Sequence, residues 1–107
     1  MLTDLKNALN ATGLPFAHFA WSKGSKVLSQ DHGVWAEDSE NSLWADNRHA
    51  ERALQGTVDW YTRKDDGVAA ALIEAALDAA GAAWYLNAIL YEEDTGFLHY
   101  EWVFEAI

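Results

Sequence analysis

The sequence predicts an α+β fold, an antiparallel or mixed sheet of about four to five strands with two helices packed on one face. Three observations lead to this class. Segments of strand length carry alternating or continuous apolar residues, two other segments show helical spacing, and the elements follow the order helix, two strands, irregular segment, strand, helix, hairpin. The chain has 107 residues, the length of one domain, so residues 1–107 are expected to form a single unit.

The N-terminal part is expected to hold one helix and two strands. Residues 3–12 predict a helix, because apolar residues recur at helical spacing and Gly13, followed by Pro15, ends it. Residues 16–22 and 32–36 predict the first two strands. The acidic segment that follows them, EDSENS, predicts a solvated loop.

The middle of the chain contains one ambiguous segment and one clear strand. Leu43–Ala53 is compatible with a short helix or with a loop that leads into the next strand. Residues 54–62 alternate regularly and predict a strand whose two faces differ in polarity. A charged corner follows, in which Asp65 or Asp66 is expected to cap the next helix.

The second helix is built mostly from alanine, with seven alanines between residues 69 and 80. Alanine loses no rotamer freedom in a helix, and its small side chain lets the helix axis approach a flat partner closely. Gly56, on the sheet, is expected to suit this approach. The stripe predicted to face the sheet consists of Val68, Leu72, Ala75, Ala76 and Ala79. Glu74 and Asp78 are predicted to face water, and Gly81 ends the helix.

The C-terminal part predicts a β-hairpin. Residues 83–91 and 97–106 are its strands, and the turn between them, EEDTG, places Gly96 where a positive φ is easiest. One face of the last strand is apolar. Because the chain stops inside or just past this strand, the terminal strand is expected to leave a pairing edge open to a neighbour.

Charge and composition exclude several classes of partner. The net charge is −10, from 17 acidic against 7 basic residues, so no specific nucleic-acid binding and no docking on anionic lipid are expected. The absence of cysteine excludes disulfides and thiolate metal sites. No apolar run approaches the roughly 20 residues of a membrane span, and the first residues do not resemble a signal peptide. We therefore expect no membrane partner and synthesis in a cytoplasm.

The sequence shows no pattern typical of catalysis. The four histidines are His18, His32, His49 and His99. No two histidines have the spacing of metal ligands on a helix or a hairpin, and zinc sites show tighter groupings than the pair His49 and Glu51. The runs EDSE and EED are expected to be solvated, and neither a phosphate-binding loop nor a GxSxG or HExxH motif is present. We predict no catalytic, cofactor-binding or metal-binding residue and no enzyme. His18 and His99 are expected on strand faces.

The six tryptophans leave alternatives open. They fit a core and subunit contacts, because aromatic side chains bury a large area with few rotatable bonds. They also fit a soluble binding module with an aromatic groove for a glycan or a peptide. A small enzyme that uses histidine and carboxylates is the third possibility, and it predicts a pocket in which two or more of these groups converge.

Four segments in order along the chain resemble a family of small phage and prophage proteins. They are GLPFA, WADN, VDWYTRKDD and HYEWVFEAI. The chain resembles the tail terminator, or head–tail joining, proteins of long-tailed bacteriophages over its whole length. It departs from that pattern between the first two strands, where SKGSKVLSQDHG replaces a proline-rich stretch, and after ADN, where RHA replaces an aromatic residue.

The resemblance implies structural work in the virion. Proteins of this family form a ring, commonly hexameric, at the end of the tail tube. The ring stops polymerisation of the tube and docks to the head connector. The expected partners are therefore further copies of the chain, the tail tube protein and the head-connector protein, and the expected location is the virion neck, after assembly in the host cytoplasm. The family contributes no catalytic residue to this chain.

Overall fold

The computed structural model describes residues 2–40 and 54–106 and confirms the α+β fold. The elements are α1 (Leu2–Ala11), β1 (Phe16–His18), a 3-10 turn (Lys26–Ser29), β2 (His32–Glu40), β3 (Leu54–Thr62), α2 (Val68–Ala79), β4 (Ala83–Glu92) and β5 (Phe97–Ala106). The ambiguous segment Leu43–Ala53, which includes the WADN motif, lies outside the described residues.

The five strands form one mixed sheet in the order β1-β2-β3-β5-β4. β1 runs parallel to β2, and every other neighbouring pair is antiparallel. The C-terminal strand β5 therefore lies inside the sheet, and the strands at its two edges are β1 and β4. The expectation that the terminal strand leaves an open edge is wrong, because the hairpin folds so that β5, rather than β4, pairs with β3.

Strand β2 extends into the acidic segment that the sequence assigns to a loop. Glu37 lies opposite Gly56, and pairing with β3 continues to Glu40 opposite Leu54, across an irregularity between Glu37 and Ser39. The loop prediction is wrong for these residues, because pairing with β3 outweighs the low strand propensity of acidic side chains.

Strand β1 is shorter than the predicted residues 16–22. It ends at His18, because Phe19 adopts a left-handed backbone conformation with a φ of 71°, which turns the chain out of the sheet. The Phe19 amide still donates a hydrogen bond to the Trp35 carbonyl oxygen at 2.8 Å. The chain therefore leaves the edge of the sheet immediately after three paired residues.

Buried side chains of both helices belong to one hydrophobic cluster with residues of the sheet. The cluster contains Leu5, Leu9, Trp35, Val58, Trp60, Ile73, Ala76, Leu77, Trp102, Phe104 and Ala106. Its strand members share a face by register, since Val58 lies opposite both Trp35 and Trp102. We call this the core face and the opposite one the outer face. The cluster shows that both helices contribute side chains to one core. That both helices pack on the same face of the sheet stays a prediction.

The buried stripe of α2 is not the predicted one. Ile73 and Leu77 are fully buried with Ala76, the one member of the predicted stripe that is buried. The exposed members are Val68, Leu72, Ala75 and Ala79. The prediction is wrong because small residues on several sides of the helix offered two apolar stripes, and the larger side chains of Ile73 and Leu77 occupy the core.

Two tryptophans bind α2 to the sheet through their indole groups. Trp102 Nε1 donates to Glu74 Oε2 at 2.9 Å, and Trp84 Nε1 donates to Asp78 Oδ1 at 2.8 Å. Glu74, predicted to face water, is half-buried because it satisfies a donor of the core. Asp78 is exposed, as predicted.

The N-cap residue of α2 is Gly67, one position after the expected Asp65 or Asp66, although Asp66 still accepts a hydrogen bond from the first helical amide. The Val68 amide donates to Asp66 Oδ1 at 3.1 Å, and Gly67, the residue directly before the helix, has a φ of 72°. This bond satisfies one of the amide groups that have no partner within the helix.

Gly56 allows a close approach within the sheet, not an approach of α2. A Cβ atom at this position would overlap the Ala36 carbonyl oxygen and the Glu37 Cα of β2, as well as the Phe104 ring. The sequence predicted that α2 approaches Gly56, and this is wrong, because the backbone that approaches Gly56 belongs to β2. Glycine is required because backbone atoms of the neighbouring strand occupy the space of a side chain.

Candidate interaction surface

The large hydrophobic side chains that remain exposed are concentrated on β4 and α2. Of nine such side chains among the described residues, seven lie on these two elements. They are Val68, Leu72, Tyr85, Leu86, Ile89, Leu90 and Tyr91. We call these seven residues the β4–α2 surface. Their concentration matters because exposed apolar groups that cluster, unlike scattered ones, mark contact sites.

β4 exposes apolar side chains on both faces of the sheet. The pairs that place them are Leu86 with Trp102 and Ile89 with Tyr100 on the core face, and Tyr85 with Val103 and Leu90 with His99 on the outer face. Ile89 is 50% exposed and Tyr91 63%. The ten residues of β4 include one charged side chain, Glu92, at the end of the strand.

A β-bulge at Asn87 explains why exposed side chains of β4 do not alternate regularly. The register with β5 shifts between Leu86 and Ala88, so Asn87 is the extra residue. The Asn87 side chain donates through Nδ2 to Glu101 Oε1 at 2.7 Å. As a result Leu86 and Ile89, three residues apart, lie on the same face.

A cavity of about 340 Å³ adjoins the surface where α2 begins. It is lined by the aromatic side chains of Trp60 and Tyr100, together with Val68 and Leu72 of α2. Tyr100 is also the β5 partner of Ile89, so it connects the cavity to β4. The exposed side of α2 and the core-facing side of β4 are therefore neighbours across Tyr100.

His99 forms a charged cluster on the outer face beside β4. Its Nε2 lies 2.7 Å from Asp59 Oδ1, and its Nδ1 lies 3.5 Å from Glu92 Oε2. The hydrogen bond with Asp59 raises the pKa of His99, with help from the charges of Asp59, Glu92 and Glu101, although burial opposes the change. This cluster binds the only charged side chain of β4 to β5.

Aromatic rings continue the cluster toward β2. Tyr61 stacks on His99 at 4.2 Å between ring centroids and on His32 at 4.9 Å. Burial, followed by the charges of Asp59, Glu92 and Glu101, raises the pKa of Tyr61 to about 12. Tyr61 therefore stays neutral at physiological pH and acts as a spacer between two histidines.

Arg63 links the turn of the β4–β5 hairpin to the 3-10 turn that precedes β2. Its guanidinium lies 4.0 Å from the centre of the Phe97 ring and donates to the carbonyl oxygens of Thr95 and Ser29. Thr95 belongs to the hairpin turn and Ser29 to the 3-10 turn. Arg63 therefore connects the hairpin turn with the 3-10 turn.

The described histidines contact aromatic rings and carboxylates of the sheet. His18 stacks on Trp35 at 3.9 Å, and its Nε2 lies 2.6 Å from Glu37 Oε1. Among the described residues, no three His, Cys, Asp or Glu side chains are placed to hold a metal ion. His99 and the carboxylates around it do converge, as the enzyme alternative requires, but they do not line the cavity beside α2. His49 lies outside the described residues.

The five tryptophans in the described part of the chain do not form the exposed groove that a glycan- or peptide-binding module requires. Trp44 lies outside the described residues, and each of the other five is buried or half-buried. Three of them, Trp35, Trp60 and Trp102, belong to the core cluster. In the described part of the chain, the exposed aromatic side chains are Phe19, Tyr85 and Tyr91, and two of these lie on β4.

Sequence reasoning missed the residues of the β4–α2 surface as a site, although one pattern pointed to them. The run AWYLNAILY, residues 83–91, is apolar on both faces of a strand, which is expected of a strand inside a sheet or at a contact. Its position at the edge depends on long-range pairing that a local pattern does not contain.

Comparison of the chain with protein-family models and with curated proteins finds no match. Neither described helix has the length and apolar content needed to cross a membrane.

Proposed function

We propose that this protein is a structural virion assembly protein that resembles tail terminator, or head–tail joining, proteins. It forms a homo-oligomeric ring, of six copies by the resemblance, at the end of the phage tail tube. The ring stops polymerisation of the tube and docks to the head connector. The protein makes or breaks no bond, and it acts in the virion neck after assembly in the host cytoplasm.

The observation that carries the assembly role is the β4–α2 surface. A long edge strand with apolar side chains on both faces and an adjacent helix with an exposed apolar stripe are features of a contact surface. The tail role comes from the order of the four motifs in the sequence. The net charge of −10 agrees with partners that are proteins and keeps the free chain soluble.

The proposal is tested by assembling the cognate tail tube protein in the presence and absence of this chain. Electron microscopy of negatively stained tubes would measure tube length and the density at each end. We expect shorter tubes with added density at one end. Tubes of unchanged length without terminal density would contradict the proposed function.

Matched variants connect this assay to the surface. Ile89→Lys places a charge on β4, and Leu28→Lys places the same charge on an exposed leucine of the 3-10 turn, outside the β4–α2 surface. We expect the Ile89 variant to lose the effect on tube length and the Leu28 variant to keep it. Equal activity of both variants would contradict a role of β4 in the effect on tube length.

A further inference from the structure

We infer that the β4 edge is the surface through which two copies of this chain bind each other, by antiparallel pairing of β4 with β4. This contact goes beyond the proposed function, since it forms between free chains and does not depend on the tail role. The partner follows from the register, side chains and charge of β4.

The register follows from the bulge. In a regular antiparallel pair, opposite residues point to the same face of the sheet, so twofold symmetry places one residue opposite its own copy. In β4 such a register matches the faces only within one half of the strand, on one side of the bulge. Because Asn87 is an extra residue, the two halves of β4 differ in phase. A register that is symmetric about Asn87 and Ala88 therefore places side chains of the same face opposite one another along all ten residues.

This register matches the exposed side chains. Its pairs are Ala83 with Glu92, Trp84 with Tyr91, Tyr85 with Leu90, Leu86 with Ile89, and Asn87 with Ala88. All five large exposed side chains of β4 thus meet an apolar or aromatic partner, and the unpaired backbone groups of the edge form a ladder.

The charge distribution also favours a second copy at this edge. Two chains with a net charge of −10 repel each other, and contact is least costly where charges are few. β4 carries only Glu92, which the register places opposite Ala83. The two Glu92 side chains lie at opposite ends of the paired strands, roughly 30 Å apart, well beyond the screening length.

Within residues 2–40 and 54–106, the sheet offers no comparable second edge for a head-to-tail contact. β1 has three residues and ends at Phe19 with a positive φ, and the part of β2 beyond it, Ala36–Glu40, is acidic. A β4–β4 contact is closed by its own symmetry and gives a dimer. A ring with different faces toward the tube and the head connector needs head-to-tail contacts instead, for which the exposed stripe of α2 remains available, so the β4–β4 dimer is a state of the free chain.

Sedimentation equilibrium of the purified full chain, from micromolar to millimolar concentration, tests the contact. We expect a monomer–dimer equilibrium for the natural chain and for Leu28→Lys. Leu90→Lys and Ile89→Lys should raise the dimer dissociation constant by about tenfold or more, as expected for substitutions at the centre of an interface. A natural chain that stays monomeric throughout overturns the inference, and so does a dimer that neither β4 variant weakens.

Cysteine cross-linking tests the register independently of stability. The chain has no cysteine, so Tyr85→Cys and Leu90→Cys each introduce a single thiol. Oxidation of a mixture of the two variants, distinguished by mass, should give mainly the mixed disulfide, because the register places these positions opposite each other at about 5 Å between Cα atoms. Neither variant should cross-link efficiently with itself, since like positions are roughly 17 Å apart along the strands.

The cross-linking and tube experiments separate the two proposals. Predominant cross-linking of each variant with itself, or none at all, contradicts the register and overturns the inference. If the mixed disulfide forms but the chain changes neither the length nor the terminal density of the tubes, the β4 contact is supported and the tail role is contradicted.

Discussion

The two edge strands of the sheet, β1 and β4, differ in length and in the side chains they expose. β1 has three residues and is followed by a backbone conformation that turns the chain away, so it offers few groups for pairing. β4 has ten residues, no proline or basic side chain, and apolar groups on both faces. Folded proteins ordinarily protect long edges with charges or proline, because open edges aggregate. The unprotected edge is therefore the one that we assign to a partner.

The largest expected effect tests the attachment of β2, on the β1 side of the sheet. Gly56→Ala places a Cβ atom against backbone atoms of Ala36 and Glu37, which cannot move without displacing β2. We expect a loss of about 3 kcal/mol in the free energy of unfolding, the upper end of overpacking costs. Chemical denaturation would measure it.

Gly33→Ala is the matched control, because the three atoms nearest to its Cβ would all belong to the side-chain ring of Phe16, not to backbone. A side chain can rotate away, so the loss should be clearly smaller and confined to the docking of β1. An equal loss for both variants would contradict the role given to the backbone of β2.

The next effect tests which stripe of α2 faces the core. Ala76→Leu enlarges a side chain that is 5% exposed within the core cluster, and we expect it to cost about 1–3 kcal/mol. Ala75→Leu enlarges an exposed neighbour and should change the free energy of unfolding by less than about 0.5 kcal/mol. Thermal unfolding of both variants would check this. The reverse order would restore the stripe predicted from the sequence.

The third effect tests how the charged end of β4 is held. Because the pKa of His99 is raised in the folded chain, its protonated form stabilises the fold below the unfolded pKa of 6.5, and this contribution is lost as the pH rises through the raised value. Asp59 on β3, Glu92 on β4 and Glu101 on β5 face this group.

Denaturation of the natural chain and of His99→Gln between about pH 5 and 9 would measure this contribution. The advantage of the natural chain should be greatest at the acidic end and decline as the pH rises. An advantage that grows with pH would show that neutral His99 is the favoured form.

The smallest effect on stability concerns the open edge itself. Leu90→Lys changes a side chain that is 57% exposed, and in the dilute monomer it should alter the free energy of unfolding by less than about 0.5 kcal/mol. Urea denaturation at low chain concentration would measure it. A loss above about 2 kcal/mol would show that Leu90 supports the fold of the monomer, contrary to an edge kept for a partner.

Local patterns in the sequence predicted the elements better than their arrangement. The alternation in Leu54–Thr62 and the glycine of the hairpin turn placed β3, β4 and β5 closely, because these features depend on neighbouring residues. The end of β1 at Phe19 was missed, since a positive φ in a phenylalanine has no sequence pattern.

The candidate surface was missed for a physical reason. Which apolar stripe of α2 is buried depends on how Ile73 and Leu77 fit against Trp102 and Phe104, and that fit is tertiary. Likewise, the position of β4 at the edge follows from the pairing of β5 with β3. The apolar strand β4 and the α2 stripe that the sequence predicts to face the sheet therefore keep exposed apolar side chains.

Hydrogen exchange of the two edges at low and high chain concentration is the most direct test of the proposed contact. Mass spectrometry would follow the amides of β4 and of β1 in the natural protein. We predict that protection of β4 amides rises with concentration while that of β1 amides does not change. Exchange of β4 that is independent of concentration, or protection that appears at β1 instead, would contradict the assignment of β4 as the edge that binds a second copy.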